Sequence, residues 1–330
     1  MVLKFRNLQD LEAHAYPEPS RFGAIRNAFT VDVEDYFQTE AMSSIVHRDS
    51  WYAMPSRVIE NTHCLLEVLQ RHNVRGTFFF LGWVAERFPH LVREVVSLGH
   101  EIGSHSYWHR PVFTLTPAQF REDALRSKGV IEDAAGVPVI GYRAPSFSIL
   151  PSTEWAFDVL ADLGFLYDSS THPIQHDIYG NPHAPRIPFL TRNGSLLEFP
   201  IATLRMCSRN FPLAGGGYFR ALPYAYVRKG IQHLNACERI NAIFYVHPWE
   251  LDPEQPRLPA PLKSRVRQYV GLLTTVPKLD RLLQDFLFVP IRELYQQQFQ
   301  DCRVTAQTIS TGKPKIGSPS MREATDRAGT

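Results

Sequence analysis

Short apolar strands alternating with amphipathic helices constrain this chain more than any other feature. Residues 27–33 (NAFTVDV) read as a first strand, β-branched and apolar until it meets the acidic pair Glu34-Asp35. Residues 57–72 then carry Val58, Ile59, Leu65, Leu66, Val68 and Leu69 at helical spacing, and 76–81 (GTFFFL) follow as a second apolar strand. The pattern predicts a helix over 83–98, a strand at 101–104, and a helix over 117–135 capped by Thr116 with Pro117 at its first position. A strand at 139–143, a helix over 152–163 and a strand at 165–168 continue it, and 241–246 (NAIFYV) is the last strand expected. Such a succession requires an α/β architecture with a parallel sheet covered on its faces, either doubly wound or closed as a barrel. No glycine-rich phosphate loop follows the first strand. The run Gly215-Gly216-Gly217 lacks the spacing of a dinucleotide fingerprint and reads as a turn, so nucleotide binding loses ground.

Around that body the chain divides by composition. Residues 1–26 read as a charged, irregular lead-in and 27–253 as the α/β body. Residues 254–302 read as a helical extension, with helices over 261–273 and 276–286 that pack back on the body, and 303–330 as a polar, disordered tail without apolar period. The stretch 172–200, rich in Pro, Asn, Gly and His, is a long loop of the kind that shapes a cleft. Thirty-five Lys and Arg against 33 Asp and Glu leave a net charge of +2, too balanced for a nucleic-acid or anionic-membrane partner. Cys64, Cys207, Cys237 and Cys302 form no C-x-x-C pair, which excludes a zinc ribbon or a thioredoxin-like motif. With no apolar signal core and no run long enough to span a membrane, the chain is expected to be cytoplasmic.

Chemistry concentrates at a few strand ends. His105 and His109, four apart, would share one face of a helical turn and could reach a single divalent ion. The cluster Asp32-Val33-Glu34-Asp35 ends the first strand, on the side where parallel sheets build their sites. One carboxylate with two histidines makes a three-ligand metal site with open positions, and a second carboxylate nearby could act as general base. His247, at the end of the last strand, could face the same mouth as general acid. No G-x-S-x-G elbow supports a serine nucleophile.

These residues resemble the polysaccharide deacetylases, the NodB-homology carbohydrate esterases. The family's T-F-D-D is matched by Thr30-Val31-Asp32 with Val33-Glu34-Asp35, and its H-[ST]-x-x-H-P by His105 to His109 with Pro111 displaced by Arg110. Its R-x-P is matched by Arg143-Ala144-Pro145, its aspartate after L-G-[FY] by Asp168, and its L-x-H by Tyr245-Val246-His247. The D-V-E-D-Y-F variant, Ser146-Phe147-Ser148 and the run from His247 to Pro253 look most like a bacterial subgroup encoded with exopolysaccharide and exosortase loci.

The resemblance implies a distorted (β/α)7 barrel with a C-terminal helical extension, one divalent metal, most simply zinc but also cobalt or nickel, and an N-acetylated glycan as substrate. Carried over, Asp32 is the base, His105 and His109 are metal ligands, Arg143 orients the base, His247 protonates the leaving amine, and Asp168 supports His247 or the cleft wall. Val33 stands where the family has its second aspartate, so the third ligand is Glu34 or Asp35. Glu34 is favoured because alternation on a strand places it on the face of Asp32. Tyr36, Trp108, Pro145, Ser146, Phe147, Tyr218 and Trp249 are expected along the substrate path. Other readings are an amidohydrolase acting on a small cyclic imide or ureide, and a glycan-binding protein without catalysis.

Overall fold

The computed structural model describes residues 25–297 apart from 178, 192, 193 and 195. Most of the expected lead-in and the whole expected tail at 303–330, with Cys302, lie outside the described residues. The first strand, β1 (Asn27–Val33), is buried along its whole length, which is why it reads as an apolar run and not as an alternation. It pairs in parallel with β2 (Thr77–Phe80), and β2 with β3 (Glu101–Ser104). The sheet continues through β4 (Gly141–Tyr142), β5 (Tyr167–Asp168) and β7 (Leu197–Glu198), while β10 (Ile243–Val246) flanks β1 on the other side. These strands are all mutually parallel; β6 (Phe189–Leu190) adds antiparallel to β7 at the far edge. The result is a curled sheet with helices, the (β/α)7 arrangement expected, which the described residues leave open between β6 and β10.

Local chemistry sets the helix limits. The helix α1 (Val58–Arg71) buries Val58, Leu65, Leu66, Val68 and Leu69 on one face. The helix expected over 83–98 is two, α2 (Gly82–Arg87) and α3 (Pro89–Ser97), because Pro89 has no N–H to continue the first and instead opens the second. The long helix α4 (Pro117–Ala135) begins as expected: Thr116 and Gln119 form a reciprocal cap, and Gly136 at φ 68° closes the other end. The shorter α5 (Trp155–Asp162) leads into β5.

The second half departs more from expectation. The loop at 172–200 contains β6 and β7. A hairpin of β8 (Thr203–Met206) and β9 (Arg209–Pro212) follows it. The glycine run forms the start of α6 (Gly216–Ala221), with Gly215 and Gly216 at positive φ against the Tyr245 ring, and α7 (Tyr224–His233) follows. The extension forms α8 (Leu262–Tyr269) and α9 (Thr275–Asp285), but it is not only helical: β11 (Phe288–Val289) returns to pair in parallel with the start of β1. Glu101 fastens that return from the opposite end of the barrel. Its carboxylate accepts hydrogen bonds from Thr77 Oγ1 (2.6 Å), Tyr167 Oη (2.9 Å) and the Arg292 backbone N–H (2.9 Å). Among the described residues no helix is long and apolar enough to cross a membrane.

Small residues make room for the large ones inside. A Cβ at Gly103 would collide with the Phe79 ring, and one at Gly141 with Tyr167. Gly103→Ala therefore forces Phe79 out of place and is expected to lower the unfolding free energy by about 1–3 kcal/mol, measurable by denaturant titration. An unchanged midpoint would show that the barrel interior is looser than this packing requires.

Candidate active site

The titratable residues of the site cluster at the C-terminal ends of barrel strands: Asp32 near the end of β1 and Glu34 just after it, His105 and His109 after β3, Arg143 after β4 and His247 after β10. Arg143 is completely buried and organises the centre. Its Nη1 donates to Asp32 Oδ1 (2.8 Å) and Thr30 Oγ1 (2.7 Å), its Nε to Ser169 O (3.0 Å) and its Nη2 to Ser169 Oγ (2.9 Å). Its carbon Cζ sits 4.4 Å from the centre of the Phe79 ring. The backbone carbonyl of the same residue faces His105 Nδ1 at 2.8 Å. A proton on Nδ1 completes that bond and leaves Nε2 as the free donor for a metal.

Glu34, His105 and His109 present one ligand atom each within 4.8 Å of one another, all buried. His109 Nε2 lies 2.9 Å from Glu34 Oε2, an oxygen with no hydrogen-bond partner, and the two imidazole centres are 5.3 Å apart. Burial raises the Glu34 pKa, but His109, His247 and His105 outweigh it and hold it below the usual value; burial keeps His105 neutral, well below the usual imidazole range. Two buried imidazoles, that of His105 held neutral, beside an ionised carboxylate form a donor set that suits a divalent cation. The histidines do not share a helical face as expected. They lie on a loop in which Ser106 (φ 65°) and His109 (φ 50°) adopt left-handed backbone, and Arg48 grips its carbonyls, Nε to Trp108 O (2.6 Å) and Nη2 to His109 O (3.0 Å).

Between the two expected third ligands the structure separates cleanly. Asp35 turns away: Oδ2 accepts from Ser56 Oγ (2.6 Å) and the Arg57 N–H (2.9 Å), and Oδ1 from the Tyr36 N–H (3.0 Å). Burial pushes its pKa up to about 6. Asp35 thus ties the β1 loop to the start of α1 instead of ligating. Glu34 is held by Trp249, whose Nε1 donates to Oε1 at 3.1 Å.

His247 reaches the same centre, with Nε2 at 3.6 Å from Glu34 Oε1 and 3.8 Å from Asp32 Oδ2. Asp168 does not support it. The Asp168 carboxylate accepts from the Ser170 N–H (2.9 Å) and Oγ (2.8 Å), and that hydroxyl in turn accepts the Ala144 N–H (2.7 Å). Burial raises the pKa of Asp168 and of its neighbour Glu198, which accepts the Thr171 N–H (2.7 Å), so the two carboxylates fasten the segment after β5. The partner of His247 is Glu250, 3.2 Å from Nδ1 and not anticipated from the sequence. Burial alone lowers the His247 pKa, but Glu250, Glu34 and Asp32 lift it to about 9.

These groups open into a cleft of about 630 Å³ walled by Ser146, Phe147, Tyr179, Tyr218, Tyr245 and Trp249. Tyr36, Trp108 and Pro145 are not on it. Tyr36 is buried against Phe37, Trp108 packs on Trp51 and Tyr107, and Pro145 is buried in the turn after Arg143. The far wall comes from α8, whose Arg267 and Lys263 bridge to Asp177 in the long loop.

Residues 50–167 match the family model described as polysaccharide deacetylase. This chain carries a polysaccharide deacetylase domain. Residues 169–296 match a second model, described as a domain of unknown function, DUF3473. Among curated relatives, a peptidoglycan-N-acetylglucosamine deacetylase of Bacillus cereus is 33% identical over 99 residues, 30% of this chain and 36% of that one. A peptidoglycan deacetylase of Helicobacter pylori is 29% identical over 123 residues, 37% of this chain and 40% of that one. The chain thus spans well under half the length of these relatives. A crystal structure of a Mycobacterium smegmatis protein proposed to be a polysaccharide deacetylase superposes with a TM-score of 0.55 at 21% identity, covering 92% of this chain and 98% of that one. That likeness confirms the fold of the deacetylase barrel and its continuation into the second region.

Chelated protein should take up one equivalent of zinc by calorimetry, lose that uptake in His105→Ala, and keep it in Asp35→Asn, which removes no ligand. Loss in Asp35→Asn with the fold intact would restore Asp35 to the donor set.

Proposed function

We propose that this protein is a metal-dependent hydrolase that removes N-acetyl groups from an amino-sugar glycan. The single observation that carries the reading is the convergence of the Glu34–His105–His109 cluster with an arginine-held Asp32 and with His247 at one cleft. A divalent ion held by the cluster supplies a Lewis acid that acidifies water and polarises an amide carbonyl. The protein's own groups do the rest. Arg143 occupies Asp32 Oδ1 and leaves Oδ2 toward the cleft, oriented to accept a proton from the attacking water. Water oxygen adds to the acetyl carbonyl, the carbon–nitrogen bond breaks, and His247 Nε2 delivers a proton to the departing amine, giving acetate and a free amino sugar. The Tyr179, Tyr218 and Trp249 rings on the cleft wall offer faces for sugar rings.

The relatives named for peptidoglycan support an N-acetylglucosamine-containing substrate. The likeness to the exopolysaccharide-locus subgroup favours an exopolysaccharide or its precursor over the wall polymer. Retention of Asp32, the metal cluster and His247 together speaks against a binding protein without catalysis, and the metal cluster against a metal-free amidohydrolase.

Acetate release from a panel of N-acetylated oligosaccharides, with zinc, cobalt or nickel returned to chelated protein, tests the proposal. Asp32→Asn should reduce the rate by about 10²- to 10⁴-fold while zinc remains bound. Near-full activity in Asp32→Asn would remove Asp32 as the base.

A further inference from the structure

We propose that Glu250 and Arg220 are positioning residues that fix the imidazole of His247, so that the region of unknown function completes the site begun by the deacetylase domain. The inference rests on the reading of His247 as the proton donor. Glu250 is 1% exposed and divides its carboxylate between two tasks. Oε2 lies 3.2 Å from His247 Nδ1 and accepts the backbone N–H of the same residue at 2.9 Å, while Oε1 accepts Arg220 Nε at 2.7 Å.

Arg220, 3% exposed, is itself anchored. Its Nη1 donates to Gln268 O and Val270 O, both at 2.8 Å, and its Nη2 to Arg267 O at 2.8 Å. Those carbonyls belong to the end of α8, where a helix leaves acceptors without intrahelical partners and where its dipole favours a cation. The guanidinium also lies 5.0 Å from the centre of the Trp249 ring, and that ring stacks on His247 at 5.3 Å and 25°. Gly271, at φ 69°, lets the backbone pass this close, since a Cβ there would strike Arg220 O.

The hold therefore runs from the α8 terminus through Arg220 and Glu250 to His247. A carboxylate oxygen 3.2 Å from Nδ1, close enough to act by charge though not aligned as a hydrogen bond, favours a proton on that nitrogen and leaves Nε2 toward Asp32 and Glu34 to exchange a proton with the cleft. Asp168, bound to Ser170 and Glu198, is not available for this task. Arg220 is needed because a buried Glu250 facing only an imidazole would lack the permanent cation that keeps it ionised.

The test uses the full chain. Glu250→Gln keeps size and removes charge; kcat should fall by about 10²-fold with KM within about threefold and zinc uptake unchanged. Arg220→Lys, which cannot span the three carbonyls and Glu250 together, should shift kcat in the same direction. Independently of activity, proton NMR should show a solvent-shielded downfield imidazole N–H, assigned by its loss in His247→Gln and absent in Glu250→Gln. An unchanged kcat in Glu250→Gln, or no such proton in the folded wild type, overturns the proposal. If Glu250→Gln does not fold, the wild-type spectrum and Arg220→Lys decide. If the wild type releases no acetate yet shows the proton and loses it in Glu250→Gln, the positioning role stands and the deacetylase reading falls.

Discussion

The rest of the structure depends on one buried cation. Removing a guanidinium from water costs several kcal/mol unless charge and hydrogen bonds replace the lost solvation. Around Arg143 they do: one carboxylate, two hydroxyls, a carbonyl and an aromatic face enclose it. Those partners come from β1, β2 and the segment after β5, so the bond set that stabilises the charge also fixes strand ends that are far apart in sequence. The same residue fixes two side chains of the site at once, Asp32 through its guanidinium and His105 through its carbonyl. A lysine, with one point charge, could not replace such a fork.

A second buried cation, Arg220, repeats the arrangement on the opposite wall. The Glu34–His105–His109 cluster and Asp32 belong to the first half of the chain, whereas His247, Glu250 and Arg220 belong to the second. Trp249 bridges them, donating to Glu34 while stacking on His247. The site is therefore shared by both matched regions and by β1 with the residues that follow it, which lie outside either match. β10 and β11 from the second half flank β1 from the first, and Glu101 closes the opposite end around the returning chain.

Much of this was legible in the sequence because burial writes itself into periodicity. β1, β2, β3 and the helices α1 and α4 fall where the apolar spacing puts them. The two-residue strands β4 and β5 are legible because apolar flanks and neighbouring helices mark them, whereas β6, β7 and β11 lie in loop or extension sequence that carries no such mark. Of the residues the ordered motifs named, Asp32, His105, His109, Arg143 and His247 meet at one cleft while Asp168 does not, and alternation along β1 favoured Glu34 over Asp35. The helical reading of His105 and His109 failed because their convergence depends on left-handed backbone at Ser106 and His109, which side-chain type does not announce. Tyr36 and Trp108 were aromatic and near the motifs in sequence, but their burial is decided by Phe37, Trp51 and Tyr107, partners that the local pattern does not identify. Glu250 was visible three residues beyond His247. One turn of 3-10 helix (Pro248–Leu251), capped by His247, brings the two side chains together, and the fold separates Glu250 from Asp168 as the partner.

The division of the cleft follows from the same physics. A reactive site must keep its geometry to within tenths of an ångström, and here Asp32, His105 and His247 are each held at a strand end by buried neighbours. The wall opposite them is built differently. Tyr179 and Tyr218 stand on the long loop and on α6, and α8 is joined to that loop by Asp177 with Lys263 and Arg267, a half-exposed bridge that salt and solvent weaken. A rigid floor beneath a loosely fastened wall allows the wall to differ in shape without disturbing the chemistry below. The exception is the end of α8, where Arg220 gathers three backbone carbonyls. There the wall is locked to the floor through Glu250, so any rearrangement of α8 large enough to widen the cleft must also move the residue that holds His247.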